Sequence, residues 1–413
     1  MKKANPILTI ILLVAVAGCG ENKQSTNGIV TVDVTASYPE KELILQDFMD
    51  VEYVDVTKSY SQKKELILQD FMDVEYIPLE TNDDFVNQGV VMDIGKKFIL
   101  VKNRVNDGDI FVYDRTGKAL RKINHKGQGG EEYASISGIV LDEGNSEMFV
   151  NGNSTKKIQV YDLYGNFKRS LKHKEGAGSL FYTDIFNYDR KNLICYDKYN
   201  EEIAFVLISK QDGSITKEIK IPFKEKTFLH QKMSDGGMFY TVNPGSYRAI
   251  ISFKGNWMLL EHSSDTVYTF LPDYSMHPFL VRTPPIQSMD PGVFLVLRLL
   301  SDRYIFMETI KNEYNFNTKQ GFPRTFFMYD RQEKAFSEYT VYNGDYSTKK
   351  EIYMTMLSPV NHEIESWYPL EAYQLVESYK KGELKGRLKE IAAKLDEEDN
   401  PVIMLIKHKK PNN

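Results

Sequence analysis

The chain has 413 residues, 42% of them hydrophobic, and a formal net charge of −5. That is enough apolar material for a large packed core, and the charge balance gives no reason to propose nucleic acid as a partner. Only two cysteines are present, Cys19 and Cys195, which excludes a disulfide-built scaffold.

Met1 to Cys19 reads as a targeting segment. Lys2 and Lys3 form a charged start, and the apolar run from Ile7 to Ala17 is too short to span a bilayer as a mature helix. Its end, Val16-Ala17-Gly18-Cys19, resembles a bacterial lipobox, so Cys19 is the expected lipidation site. Acylation there would tether the protein stably, since each buried CH₂ contributes about 0.8 kcal/mol. Gly20-Glu21 lacks the Asp that favours inner-membrane retention in some bacteria. The expected location is therefore the cell envelope, lipid-anchored at the outer membrane. Residues 20–28 (GENKQSTNG) form a polar tether without core-forming side chains.

A duplication follows. The segments from Glu42 to Tyr53 and from Glu65 to Tyr76 are identical, within longer copies at 32–53 and 54–76. Only the second copy continues into Ile77-Pro78-Leu79-Glu80-Thr81. The second is therefore assigned to the native structural position. The first, within residues 29–53, is expected to be peripheral, weakly packed, or a competitor for the same strand site.

From Gln88 onward the chain repeats itself. Ile110 to Tyr133 reads as strand, turn, strand and glycine-rich loop, and the design returns at Ile158 to Phe181. Tyr113 and Tyr161, Asp114 and Asp162, Gly117 and Gly165, and His125 and His173 all match at an offset of 48 residues. In each turn, Gly supplies a positive φ and Asp bonds the turn backbone. Self-similarity of roughly 40–50 residues with several strands per unit is the signature of β-propeller blades.

Four strands are predicted in the first unit (90–93, 97–102, around 110, 120–123) and four in the second (139–142, 148–151, around 158, 167–171). The third spans 182–221. Residues 224–244 read as a long inter-blade loop. A fourth unit uses 247–253, 256–262, 266–271 and a Pro284-Pro285 exit, and a fifth uses 294–299, 304–310, 325–330 and 335–341. Residues 354–359 begin the last unit. Leu370 to Leu395 has helical apolar spacing weakened by Gly382 and Gly386, and Val402 to Ile406 is a closing strand. A closed propeller must remove its free sheet edges, so Val74 to Leu79 is expected to pair with the strand at Val402. The fold class that follows is all-β: a six-bladed propeller over residues 54–413, with four-stranded antiparallel blades, closed by strands from both chain ends and carrying one C-terminal helix.

The second unit resembles an NHL repeat through Gly127, Gly129, Glu132-Tyr133, Ile139, Leu141-Asp142, Phe149-Val150, Lys157 to Asp162 and Gly165. The mature chain as a whole is similar to six-bladed, TolB-like propeller lipoproteins of Gram-negative gut anaerobes. The likeness rests on Val74 to Thr81, on the Gly127 to Tyr133 loop, and on the helix followed by Glu398-Asp399-Asn400-Pro401 and a last strand. That family's loop usually carries Pro-Gly where Gly130-Glu131 stand, and its N-terminal segment is single. The resemblance implies fold and envelope location, and no settled activity.

Local chemistry is sparse. The loop Gly127, Gln128, Gly129, Gly130, Glu132, Tyr133 could present backbone N–H groups to an anion. It lacks the Gly-Lys-Ser/Thr ending and the following helix of a phosphate loop, and reads better as an inter-blade turn. His125 and His173 recur as a structural slot, Asn106 to Asp109 lacks calcium-loop spacing, and there is neither a zinc helix nor a nucleophile elbow. No catalytic residue, cofactor or metal ligand is predicted. Some six-bladed relatives hold one divalent metal in the central channel with residues from different blades, which leave no local motif. The leading expectation is a monomeric, non-enzymatic binding or scaffold module for a glycan, peptide or envelope protein, touching the membrane only through its lipid. The alternative is a metal-dependent hydrolase or lyase with a channel site.

Overall fold

The computed structural model describes residues 51–409 except 61, 153–155, 177, 246, 358–359 and 362–363. Cys19, the tether and most of the first repeat copy lie outside the described residues.

The described chain opens as a strap. Strand β1 (Glu52–Asp55) leads to β2 (Lys63–Ile67), one helical turn α1 (Leu68–Phe71) and β3 (Met72–Pro78). Four sheets of four antiparallel strands then carry most of the fold's regularity. The first is β4 (Val90–Ile94), β5 (Phe98–Lys102), β6 (Asp109–Asp114) and β7 (Ala119–Asn124). The second is β8 (Gly138–Asp142), β9 (Glu147–Gly152), β10 (Lys157–Asp162) and β11 (Phe167–Lys172). The third is β12 (Asp184–Asn187), β13 (Asn192–Tyr196), β14 (Phe205–Ser209) and β15 (Ile215–Ile219). A separate hairpin, β16 (Gln231–Asp235) and β17 (Met238–Val242), follows. The fourth sheet is β18 (Ile250–Phe253), β19 (Asn256–Leu259), β20 (Thr266–Phe270) and β21 (Met276–Thr283).

The fifth sheet holds β22 (Val293–Leu300) and β23 (Tyr304–Lys311). A small hairpin, β24 (Tyr314–Asn315) and β25 (Gln320–Gly321), interrupts it before β26 (Arg324–Asp330) and β27 (Ala335–Tyr342). The sixth contains β28 (Ile364–Leu370), followed by α2 (Ala372–Lys380), α3 (Gly386–Ala392) and β29 (Val402–His408), in the order β28-β29-β3. The protein is a six-bladed β-propeller, all-β in class.

The expected turn chemistry is visible. Gly117 and Gly165 sit at φ +89° and +97°. Asp114 Oδ1 accepts from the N–H groups of Thr116 (2.8 Å) and Lys118 (3.1 Å), and Asp162 Oδ1 from those of Tyr164 and Asn166 (both 2.9 Å). Apolar layers fill the spaces between neighbouring sheets, because both faces of each blade are covered. Consecutive residues of β13 illustrate this: Leu193 and Cys195 pack toward the second sheet, while Ile194 and Tyr196 pack toward the fourth. Cys195 is fully buried, and burial pushes its thiol pKa well up.

Closure joins the two ends of the chain. Strand β29 pairs antiparallel with β3, from Val402 opposite Pro78 to His408 opposite Met72. Asn400 locks the joint. Its Nδ2 donates to the carbonyls of Glu80 (2.8 Å) and Phe85 (2.6 Å), and its Oδ1 accepts from the Asn87 N–H (2.8 Å). The Asn400 N–H donates to Thr81 Oγ1 at 2.8 Å. The Glu80-Thr81 and Asn400-Pro401 signatures are thus two halves of one contact.

Several expectations are corrected. Residues 224–244 contain the β16–β17 hairpin, turned by Gly236 and Gly237 at φ +57° and +81°. The fourth sheet has its own outer strand at Met276–Thr283 before the Pro-Pro pair. The single helix of 370–395 is two helices, separated where Gly382 and Gly386 adopt φ +69° and +50°. Residues 354–356 form a 3-10 turn, and the last blade's strand starts at Ile364. The strap adds a fifth, parallel strand to two blades: β1 beside β21 and β2 beside β27. Strand β1 begins inside the first repeat copy, and the next residue after that copy, Val54, is fully buried on the fourth sheet.

Candidate functional site: the channel mouth

The sixth sheet has three strands, where each of the others has four antiparallel strands before the strap is added. In the other sheets the outermost strand leads on to the innermost strand of the next. Strand β3 leads to β4 in that way, so it is outermost, and β29 and β28 take the next two places. Among the described residues no strand takes the innermost place of the sixth blade. A cavity of 1090 Å³ opens there. It is lined by the ends of β4, β8 and β12 and their following turns, and it reaches outward to Asp73 on β3 and Lys407 and His408 on β29. Its size suits a small-molecule or oligomeric ligand.

Polar side chains cross between blades around this mouth. Asp93 accepts from its neighbour's N–H (Ile94, 2.8 Å) and from Leu141 N–H of the second blade (2.7 Å). Asn187 donates to the Leu141 carbonyl at 3.2 Å, and Asn361 to the Ile94 carbonyl at 2.7 Å. Glu143 accepts from the N–H groups of Lys96, Lys97 and Phe98 at 2.7–3.0 Å. Lys210, itself buried, places Nζ 2.6 Å from Asp142 Oδ2 and 2.7 Å from Asn187 Oδ1. These bonds fix the rim before any ligand arrives.

Two features of the lining are available to a ligand. Tyr188 stacks on Trp257 (centroids 6.0 Å apart, planes at 26°) and on Tyr274 (6.3 Å, 19°). The Tyr188 hydroxyl is buried without a hydrogen-bond partner. Asp93 is the second: burial raises its carboxyl pKa to about 7, against the opposing pull of its two backbone donors.

Deeper in the propeller, three arginines meet two glutamates. Arg248 meets Glu365 at 3.2 Å, Arg324 meets Glu308 at 2.7 Å, and Arg298 also bonds Glu308. Burial lowers the Arg248 pKa to about 10. Such buried pairs specify geometry more than they stabilise it. Among the described residues no group of three or more His, Cys, Asp or Glu side chains is placed to hold a metal ion.

The sequence-predicted loop lies elsewhere, between β7 and β8 on the opposite face. Gly129 N–H donates to Glu132 Oε2 at 2.8 Å, so the chain's own carboxylate occupies the place of an anion. A Cβ on Gly127 would stand 1.9 Å from that same oxygen. Tyr133 is buried, and its hydroxyl donates to the Gly108 carbonyl at 2.7 Å, while Gln159 holds the carbonyls of Gly130 and Glu132, each at 2.9 Å. Gln128 is exposed. The loop is an inter-blade turn. His125 stacks on Tyr161 at 4.9 Å and contacts the Gly165 carbonyl at 2.7 Å; His173 packs on Tyr182 at 4.4 Å. Both histidines are inter-blade packing elements.

Residues of the mouth escaped the sequence reading because they come singly from separate blades. The signal that could have found them is a polar residue at or next to the end of each inner strand: Asp93, Asp142 and Asn187.

The model of a domain of unknown function, DUF4934, matches residues 51–407. The chain belongs to the DUF4934 family. An exported protein of Bacteroides fragilis is similar in structure, with a TM-score of 0.54 at 14% identity, covering 87% of this chain and 99% of its own. A member of the DUF4221 family from Bacteroides vulgatus aligns with a TM-score of 0.43 at 10% identity, covering 82% of this chain and 98% of its own. No curated protein matches the DUF4934 chain.

Proposed function

We propose that this DUF4934 protein is a binding or scaffold module of the cell envelope that receives a glycan or peptide segment at the channel mouth. The observation that carries this reading is the 1090 Å³ cavity at the channel mouth. Its rim is pre-set by inter-blade hydrogen bonds, and its wall carries the Tyr188–Trp257 pair. Aromatic faces beside fixed polar groups suit sugar rings and peptide side chains alike. Most carboxylates of the mouth are held by backbone N–H groups or Lys210, which gives them a shaping role.

Envelope placement is part of the proposal. The lipobox-like Val16 to Cys19 supports it, as does the exported description of the Bacteroides fragilis neighbour. Lipid anchoring at Cys19, the outer membrane and the NHL/TolB-like affiliation rest on sequence. Among the described residues no helix is long and apolar enough to cross a membrane. Labelling cells with an alkyne fatty acid tests the anchor: the wild type should be labelled and Cys19→Ala should not. Label on both, or on neither, refutes lipidation at Cys19.

Trp257 lines the cavity and is one of only two tryptophans, so intrinsic fluorescence reports its occupancy. Titration with soluble glycan and peptide libraries should yield a ligand that changes emission in the wild type and loses affinity in Tyr188→Ala. A ligand bound equally by both proteins places recognition elsewhere. One observation favours a second reading, hydrolysis or elimination at the same mouth: Asp93, with its pKa raised to about 7, is suited to general acid–base work. Turnover of a bound ligand, abolished in Asp93→Asn, would select it.

A further inference from the structure

A second cavity lies at the other end of the propeller. Strand β13 follows Arg190 of the channel mouth and ends at Tyr196, and β19 carries Trp257 of the mouth near its start and is followed by Glu261. Both end at this second cavity, of 410 Å³, which the β16–β17 hairpin flanks through Lys232 and Thr241.

His262 lines it. The residue is 6% exposed, and neither ring nitrogen has a hydrogen-bond partner. Leaving both unsatisfied costs free energy, so a buried imidazole in this state is a site lacking its partner. The ring is fixed by Tyr247 at 3.9 Å and by Phe294 at 5.9 Å. Burial and the nearby charges of Lys226 and Arg298 bring its pKa down to about 3. At neutral pH it therefore offers one N–H and one lone pair, the complement of a hydroxyl group that both accepts and donates.

The charge of the lining is one-sided. Glu261 is the only carboxylate among the residues that line it, and it is committed: Lys226 Nζ at 2.9 Å, the Tyr196 hydroxyl at 3.3 Å and the Ser263 N–H at 3.1 Å all point to it. Lys198 and Lys232 also line the cavity, and their charges both act on His230, lowering its pKa together with burial. Lys198 also acts on the carboxyl of Asp184, which is not among the residues lining the cavity. Phe228 and Tyr247 supply aromatic walls.

We propose that this cavity is a second binding site for a small hydroxylated carboxylate, a sugar acid or hydroxy acid. The carboxylate lies between Lys198 and Lys232, a hydroxyl pairs with His262, and the carbon skeleton lies against Tyr247 and Phe228. The site is separate from the channel mouth and does not depend on the function proposed there.

The test is isothermal titration of the full chain, purified in detergent, with D-glucuronate, D-glucose and inorganic phosphate. Glucuronate should bind one to one, with glucose and phosphate at least tenfold weaker. Lys198→Ala/Lys232→Ala should weaken glucuronate by tenfold or more, and so should His262→Phe. The lysines are not core residues, so the double variant keeps the test valid if His262→Phe fails to fold. Tyr188→Ala, at the other cavity, should leave glucuronate binding unchanged. Absence of glucuronate binding, phosphate binding of equal strength, an unaffected lysine double variant, or loss of binding in Tyr188→Ala would each overturn the proposal.

Discussion

The duplicated segment offers a controlled comparison within one molecule: Tyr53 and Tyr76 end identical twelve-residue sequences but occupy different surroundings. Tyr76 is 8% exposed, and its hydroxyl donates to Asp345 Oδ2 at 2.7 Å and accepts from Asn343 Nδ2 at 2.9 Å. Gln69, from the same copy, reaches the same two side chains, each at 2.8 Å. Tyr53 is 46% exposed and makes no side-chain hydrogen bond among the described residues. Tyr76→Phe removes one charge-assisted and one neutral hydrogen bond. Asp345 is partly open to water, which reduces the loss, so the expected cost is about 2 kcal/mol. For a domain of this size that corresponds to a fall in Tm of roughly 2–3 °C. Tyr53→Phe should leave stability unchanged. Urea denaturation of the two variants beside the wild type measures both. Equal effects, or a larger effect at Tyr53, would refute the assignment of the second copy to the closing blade.

Asn400→Ala should cost about 3 kcal/mol, because two buried carbonyls and the Asn87 N–H lose their partner together; a change below 1 kcal/mol in urea denaturation would mean that water replaces the side chain. Gly117→Ala should cost roughly 2–3 kcal/mol by the same measurement, since φ is +89° and the new Cβ would stand 2.0 Å from the Pro78 carbonyl oxygen; a neutral result would show that the turn relaxes freely. Burial holds the His173 pKa at about 4, so the unfolded chain takes up its proton first as pH falls. His173 should therefore make stability fall between about pH 6.5 and 4, and His173→Gln should flatten that slope; an unchanged slope refutes it. Asp93 has the opposite sign. With its pKa raised to about 7, the folded state holds the proton longer, so stability falls as pH rises from about 4 to 7, and Asp93→Asn should remove that loss in melts at pH 5 and 8.

Regular blades were legible because their signals are local. Asp114-x-x-Gly117 and Asp162-x-x-Gly165 each fix a hairpin within five residues, and the alternating runs beside them are long. What escaped was either nonlocal or weakly patterned. Strand β21 carries Pro278, which a register shift between Val267 and Tyr268 on its partner accommodates. Strand β28 carries Glu365 and Ser366, polar residues that are nonetheless 1% and 0% exposed because Arg248 bonds both. Hydropathy cannot separate such a strand from a loop. The β16–β17 hairpin buries little, so only Gly236-Gly237 marked it. The channel mouth gathers residues from separate blades, and only the topology brings them together.

The repeat shows how far context overrides identical sequence. Val51-Glu52-Tyr53 runs into a parallel edge strand, with Glu52 opposite Leu280 and Tyr53 opposite Val281. Val74-Glu75-Tyr76 runs antiparallel to β29, with Glu75 opposite Leu405 and Tyr76 opposite Met404. In each case the next residue, Val54 or Ile77, is buried, so alternation turns both tyrosines to the other face of their sheet. In the sixth sheet that face is covered by the fifth blade and by α3, and Tyr76 joins their core. At the edge of the fourth sheet Tyr53 stays half exposed. Propensity and pairing capacity are the same for both copies, and the difference lies in what covers the second face. A chain with two identical straps therefore needs the continuation Ile77 to Thr81, locked by Asn400, to select which copy closes the propeller.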